Sequence, residues 1–144
     1  MFKIRWLMLG LWVAVLVPAV LRGEIECVVI ALIIGVFYGL VIDLIGVGVL
    51  KLWKYSSAQW GWEYFTVTVP CWGIFSMVIN LVWNWIGTPW SFIFITLGLF
   101  AMLELPNLKT RSWTYNAPMW LVMIGWIPLV LSFRIVYITA ICIL

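Results

Sequence analysis

Long apolar runs dominate the chain, and short polar segments divide them into five stretches. Crossing about 30 Å of hydrocarbon takes roughly 20 helical residues, which is the approximate length of these runs. The pattern therefore predicts an all-α, polytopic transmembrane helical bundle that forms a single integral membrane domain over residues 1–144. The predicted spans are 4–21, 27–50, 62–85, 90–105 and 117–133, with an apolar tail at 135–144.

The composition agrees with this pattern and excludes several classes of protein. Hydrophobic residues make up 67% of the chain and charged residues 9%, whereas soluble domains contain about 45–50% and about 25%. A soluble enzyme, a nucleic-acid-binding module and a disordered regulator are therefore excluded. The chain has no histidine, and its three cysteines are widely spaced, so we expect neither a metal nor another cofactor.

The basic residues predict the orientation of the helices. Six of the eight lie in segments that five spans would put on one side of the membrane, and Arg22 and Arg134 lie on the other. Because basic loops stay in the cytoplasm, we expect a cytoplasmic amino terminus and location in the cytoplasmic membrane of a bacterium. Residues 1–21 also permit interpretation as a signal peptide, although no small-x-small cleavage site follows them.

Tryptophan and tyrosine residues cluster beside the predicted cytoplasmic loops. Trp53, Tyr55, Trp113 and Tyr115 are the members of this cluster nearest to the basic residues. Aromatic side chains with one polar end concentrate at membrane interfaces, so we expect these residues to form an interfacial belt.

Small and polar residues at helical spacing predict which helix faces pack together, because helices in lipid associate through close backbone contact. In the second span such residues recur at intervals of three or four, and Asp43 lies on the same stripe. In the third span a similar row begins at Thr66. The expected packing residues are Gly35, Gly39, Gly46, Gly73, Asn80 and Asn84.

Asp43 is the residue that helix packing alone does not explain. It lies eight residues before Lys51, about 12 Å inside the membrane, where a lone carboxylate costs at least a few kcal/mol. Glu63 and Glu104 are expected at the same end of the bundle. Convergent carboxylates can act as general acid and base or hold a proton or cation, so all three are candidate catalytic residues. The alternative is a structural, hydrogen-bonded Asp43 and two interfacial glutamates.

Three further residues are expected at the depth of Asp43 on neighbouring spans, and Tyr64 is expected beside Glu63 at the cytoplasmic mouth. Small side chains opposite a carboxylate leave room for water or a ligand. The candidate substrate- or lipid-binding residues are Tyr64, Thr66, Gly98 and Ala101.

The order of these features resembles that of two families. Asp43, the pair Glu63-Tyr64, Pro70, and Glu104 followed by the segment 109–115 are similar to the pattern of small uncharacterised multi-span membrane proteins of spore-forming bacteria. This resemblance covers roughly residues 30–116 and implies no reaction. Asp43, the segment 53–55 and Glu63 also resemble carotenoid cyclase subunits of the lycopene cyclase type, which implies isoprenoid cyclisation. The Pro-x-Glu-Glu motif of those subunits is absent here.

Three functions follow as alternatives. The first is a non-catalytic accessory or assembly subunit or a lipid-binding protein, because the sequence contains no recognisable nucleophile–base pair, metal cluster or phosphate loop. The second is an intramembrane acid/base enzyme, an isomerase or cyclase, that uses Asp43 with Glu63 or Glu104 on a lipid-soluble isoprenoid-like substrate. The third is a proton or cation pathway. Expected partners are membrane lipid and other membrane subunits or a second copy of the chain, but no nucleic acid.

Overall fold

A computed structural model describes residues 2–56 and 60–143 as a bundle of helices with one small sheet. The all-α bundle predicted from the sequence is confirmed. The elements are α1 (Phe2–Leu21), α2 (Ile25–Asp43), β1 (Trp53–Tyr55), α3 (Val69–Ile86), α4 (Ser91–Thr110), β2 (Trp113–Tyr115) and α5 (Met119–Ile143). A π-helical segment, Leu44–Val49, continues α2, and another, Tyr64–Thr68, leads into α3.

Four helical segments of the described chain are long and apolar enough to cross a membrane. They are Ile25–Val49, Tyr64–Ile86, Ser91–Thr110 and Met119–Ile143. The chain is therefore a helical membrane protein. The remaining predicted span corresponds to α1, and a fifth crossing by this helix stays a prediction.

Two helices extend beyond the ends predicted from the sequence. Helix α4 passes through Pro106 to Thr110, where Asn107 anchors its last turn by bonding to the backbone nitrogen and oxygen of Trp113. Helix α5 continues to Ile143, so the described part of the apolar tail belongs to this helix rather than to a separate segment. Neither Pro128 nor Arg134 interrupts α5. Helices of membrane proteins tolerate proline where neighbouring groups satisfy the freed backbone.

Helix α3 occupies the centre of the bundle and contacts each of the other four helices. All residues from Phe75 to Leu81 are buried. Its closest neighbour is α2, because small residues bring the two backbones together. A Cβ added to Gly35 would lie 2.5 Å from the carbonyl oxygen of Trp72, and one added to Gly39 would overlap the Trp72 ring.

Three further residues of the expected packing set also lie at contacts. A Cβ on Gly73 would lie 3.1 Å from the Leu32 carbonyl oxygen, and one on Gly46 would overlap the Trp53 ring. The buried Asn80 amide donates to the Ser76 carbonyl oxygen at 2.9 Å. Asn84 was expected at a helix contact. Its side chain is instead exposed on the last turn of α3, because no neighbouring helix covers this side.

The strands β1 and β2 pair antiparallel, with Trp53 opposite Tyr115 and Tyr55 opposite Trp113. These residues form a strand pair, whereas the sequence predicted only an interfacial belt. Each strand connects two helices, so that α2–β1–α3 and α4–β2–α5 are two similar halves of the chain. Since one strand of each half contributes to the pair, the strand pair joins the halves at one end of the bundle.

The close approach of α2 and α3 can be tested with a matched pair of glycines. Gly39→Ala should destabilise the protein by about 1–3 kcal/mol, because the added methyl group meets the Trp72 ring. Gly98→Ala should be neutral or stabilise by up to about 1 kcal/mol, since nothing lies within 4 Å of its added Cβ and alanine favours helix. Equal unfolding midpoints of the two variants in detergent would contradict this packing arrangement.

Candidate functional site

Asp43 lies at the end of α2 and is completely buried. Its Oδ1 accepts a hydrogen bond of 2.8 Å from the Tyr55 hydroxyl. Its Oδ2 accepts hydrogen bonds from the Tyr64 hydroxyl at 2.8 Å and from Trp72 Nε1 at 2.7 Å. Both carboxylate oxygens therefore have donors, and none of these donors carries a positive charge. We call these four residues the Asp43 cluster.

The π-helical segment before α3 explains how Tyr64 reaches Asp43. Hydrogen bonds from residue i to residue i+5 widen the turn and shift the phase of the side chains relative to an α-helix. As a result, Tyr64 and Thr68 face the interior and are buried, whereas Thr66 is exposed.

Glu104 forms a second buried site near the end of α4, with 1% of its surface exposed. It accepts a short hydrogen bond from the Tyr115 hydroxyl and longer ones from Trp113 Nε1 at 3.3 Å and Trp126 Nε1 at 3.2 Å. The Asn107 amide donates to it at 3.4 Å. We call these five residues the Glu104 cluster. Its donors are also neutral.

The two clusters repeat one design in the two halves of the chain. In each, a carboxylate on the first helix accepts from the tyrosine of the following strand, 12 residues later for Asp43 and 11 for Glu104. In each, an indole on the next helix, Trp72 or Trp126, provides another donor. The sequence carries a signal of this repeat, namely a Trp-x-Tyr triplet that follows each of the two acidic residues.

The two strand tyrosines are held in their protonated form. Burial, together with the adjacent Asp43 carboxylate, raises the pKa of Tyr55 well above its ordinary value of 10.0. Burial and the Glu104 carboxylate likewise raise the pKa of Tyr115. Both phenols therefore remain hydrogen-bond donors over the physiological pH range.

A cavity of about 450 Å³ lies between the strand pair, α3 and α5, and we call it the central cavity. Donor side chains of both clusters line it, whereas Asp43 and Glu104 lie behind their donors. Thr68 also lines it, and within the described residues its buried hydroxyl has no hydrogen-bond partner. The rest of the wall is mainly apolar and includes Val67, Phe75, Leu103, Leu121, Val122 and Leu129.

Aromatic contacts between α3 and α5 connect the Asp43 cluster with the Glu104 cluster. Trp72 stacks on Phe133 with ring centres 5.8 Å apart, and Phe133 contacts Phe75 at 5.1 Å. Phe75 in turn contacts Trp126 at 5.5 Å. A continuous row of packed rings therefore joins a donor of Asp43 to a donor of Glu104.

The acidic candidates from the sequence separate into two groups. Asp43 and Glu104 border the same cavity through their donors. Glu63 is half-buried before the π-helical segment and does not line the cavity. Tyr64 was expected to contact a ligand, but it is completely buried and donates to Asp43.

Three expected ligand-binding residues lie on the outer surface instead. The exposed Thr66 hydroxyl donates to the Trp62 carbonyl oxygen at 2.9 Å. Gly98 and Ala101 are exposed because α4 buries a different row of its residues. That row includes Ser91, Ile95, Leu99 and Leu103. Within the described residues, no group of three or more metal-ligating side chains comes together.

No family model matches the chain, and no match is found among curated proteins or among solved structures. The two resemblances noted in the sequence stay predictions.

Substitutions of Asp43 test whether its donors depend on this carboxylate. Asp43→Asn should cost no more than about 1 kcal/mol, because the amide still accepts with its oxygen and can donate to the Tyr55 phenol. Asp43→Leu should cost about 3 kcal/mol or more, since it leaves the donors of Tyr55, Tyr64 and Trp72 without their acceptor. Unfolding in detergent provides the measurement, with Glu26→Gln on the exposed start of α2 as control. Equal losses for Asn and Leu would contradict this role.

The raised pKa values of Tyr55 and Tyr115 predict how stability changes with pH. The folded protein holds the phenol protons more tightly than the unfolded chain, whose tyrosines titrate near pH 10. The stabilisation of the folded state by these phenol protons is therefore complete below about pH 10, and it is lost as the pH rises further. We expect the unfolding midpoint to fall between about pH 9.5 and 11, and the double variant Tyr55→Phe, Tyr115→Phe to show a shallower fall. If the unfolding midpoint of the double variant fell with pH as steeply as that of the wild-type protein, the two tyrosines would not be the cause.

Proposed function

We propose that this protein binds a lipid-soluble molecule with a single apolar chain and one polar group inside the membrane. The observation that carries this proposal is the central cavity, with its largely apolar wall that includes Thr68. Apolar pockets with a few placed polar groups are typical small-molecule sites. The proposal develops the lipid-binding alternative of the sequence analysis.

The size of the cavity favours a single chain. At about 30 Å³ for each water-sized group, 450 Å³ accommodates on the order of fifteen such groups. Both chains of a phospholipid are too large for this space. Exposed residues of α5, among them Leu121, Gly125 and Pro128, border the cavity, so a ligand can enter from the lipid side.

The polar group of the ligand is expected at Thr68. A buried hydroxyl without a partner carries a free-energy penalty of about 1–3 kcal/mol, which a ligand oxygen would relieve once rotation about χ1 turns the hydroxyl into the cavity. The phenol oxygens of Tyr55 and Tyr115 already donate their protons, but they retain lone pairs that accept from a ligand hydroxyl. An alcohol therefore fits these groups better than a hydrocarbon.

A second candidate function is an isomerase that moves a proton within such a ligand. The observation that favours it is that each strand tyrosine connects a buried carboxylate to the cavity. Tyr55 could take a substrate proton while passing its own to Asp43, and the reverse transfer could return a proton to another atom of the same substrate, so the protein is restored and the net reaction needs no other reactant. Binding ranks first because the donors already occupy both carboxylates and separate them from the cavity.

The same proposal includes the location of the protein. We assign it to a bacterial cytoplasmic membrane with the strand pair on the cytoplasmic side. Exposed basic residues beside the strands support this orientation under the positive-inside rule. They are Lys51, Lys54, Lys109 and Arg111.

Photolabelling with a fatty alcohol that carries a diazirine tests the ligand site. In the wild-type protein, labels should concentrate on the cavity wall formed by α3 and α5. Gly125→Leu should reduce this labelling about tenfold, because its side chain enters the cavity from an open position. Gly98→Leu is the matched control, since Gly98 is also open but does not line the cavity. Uniform labelling of the whole apolar surface in all three proteins would contradict the proposal.

The role of Thr68 as the polar anchor of the ligand can be tested with a matched pair of threonine variants. Thr68→Val should weaken labelling by the alcohol but leave labelling by the corresponding alkane unchanged, because only the hydroxyl is lost. Thr66→Val, which removes an exposed hydroxyl, should change neither. Equal effects of Thr68→Val on both probes would exclude Thr68 as the anchor.

For the isomerase alternative, Asp43→Asn should retain labelling and lose turnover.

A further inference from the structure

Arg134 is a charged residue on α5 that lies close to the end of the bundle opposite the strand pair. Its Nη1 donates to the backbone oxygen and Oδ1 of Asn80, each at 3.4 Å. Its guanidinium lies 5.4 Å from the ring centre of Trp83 and 5.7 Å from that of Tyr137. These contacts hold the guanidinium at a defined place, in contrast to a long side chain that reaches freely to the surface.

The interactions of Arg134 in the described part of the chain leave its charge without a negative partner. Asn80 and the two rings are neutral, and both hydrogen bonds are long for a charged donor. The Nε atom is buried and has no hydrogen-bond partner among the described residues. Since a positive charge within a membrane span is unfavourable without compensation, an anion from outside the described chain would stabilise this guanidinium.

A shallow cleft beside Arg134 provides the space for such an anion. Besides Arg134 it is lined by Trp83, Asn84, Gly87, Thr88 and Pro89. The Asn84 amide and the Thr88 hydroxyl are polar groups suited to phosphate oxygens, and no carboxylate lies in this lining. Glu24, at the same end of the bundle, is engaged by Trp85 Nε1 at 2.8 Å.

We propose that this cleft binds the phosphate group of a membrane phospholipid. Guanidinium groups bind phosphate oxygens through two parallel hydrogen bonds, which suits a planar fork with unused donors. The cleft lies beside the turn that follows the end of α3 at Ile86, where a spanning helix meets the headgroup region. Exposed apolar side chains nearby, including Ile86 and Trp90, suit the acyl chains of the same lipid. This site lies at the other end of the bundle from the central cavity and does not depend on the function proposed for it.

Native mass spectrometry of the purified full-length protein tests this site. The probes are phosphatidylglycerol, diacylglycerol with the same chains, and inorganic phosphate. Phosphatidylglycerol should bind the wild-type protein more tightly than diacylglycerol does, and Arg134→Gln should weaken only the phospholipid, by about tenfold. Arg22→Gln is the matched control, because Arg22 lies at the same end, over the Trp85 ring, and is outside the cleft. It should leave the phospholipid affinity unchanged.

Two further variants keep the test decisive if Arg134→Gln does not fold. Arg134→Lys preserves the charge but not the fork, and Thr88→Val changes an exposed residue of the cleft, so each should weaken phospholipid binding several-fold. Equal affinity for phosphatidylglycerol and diacylglycerol in the wild-type protein would overturn the proposal. So would an equal loss in Arg22→Gln. Competition by inorganic phosphate at the lipid's own concentration would identify a free anion as the ligand and overturn the lipid assignment.

Discussion

The structure depends on the need to solvate two carboxylates that the helices bury. A carboxylate removed from water is stable only if protein donors replace the lost hydrogen bonds. Among the hydrogen bonds to Asp43 and Glu104, all donors are neutral phenols, indoles and one amide. Such donors are short and stiff, so they bind only when their backbones lie in defined places. The strand pair supplies the phenols of Tyr55 and Tyr115, and α3 and α5 supply the indoles of Trp72 and Trp126.

The same donors shape the space that the bundle leaves open. Because the phenols and indoles turn their polar atoms towards the carboxylates, the cavity between them receives mainly ring faces and aliphatic side chains. Apolar cavities bind apolar molecules in preference to water. The main structural effect of the two carboxylates is therefore to fix the aromatic side chains that form the cavity wall. Thr68 also lines this wall, and its buried hydroxyl has no partner among the described residues.

The two ends of the bundle differ in the ionisable groups that they contain and in how the chain satisfies them. At the strand-pair end, two acidic side chains are buried and all of their described donors come from the chain itself. At the other end, the positive charge of Arg134 has only neutral partners in the described structure. Charges inside a membrane protein persist when they are compensated or have a function. This contrast explains why the first end forms closed clusters and the second forms an open cleft.

The sequence by itself determined the features that depend on local order along the chain. Continuous apolar runs define a helical membrane protein, and the spacing of Gly35 and Gly39 with Asp43 directs that carboxylate towards a neighbouring helix. Only the tertiary structure decided which groups meet it. Residues 29 positions apart, Asp43 and Trp72, come together, as do strands from the two halves of the chain. The π-helical form of the segment Tyr64–Thr68 is likewise known only from the structure, because no residue type in it marks i→i+5 hydrogen bonds. The burial of Glu104 likewise depends on tertiary contacts, because Tyr115 of β2 and Trp126 of α5 donate to it from 11 and 22 residues further along the chain.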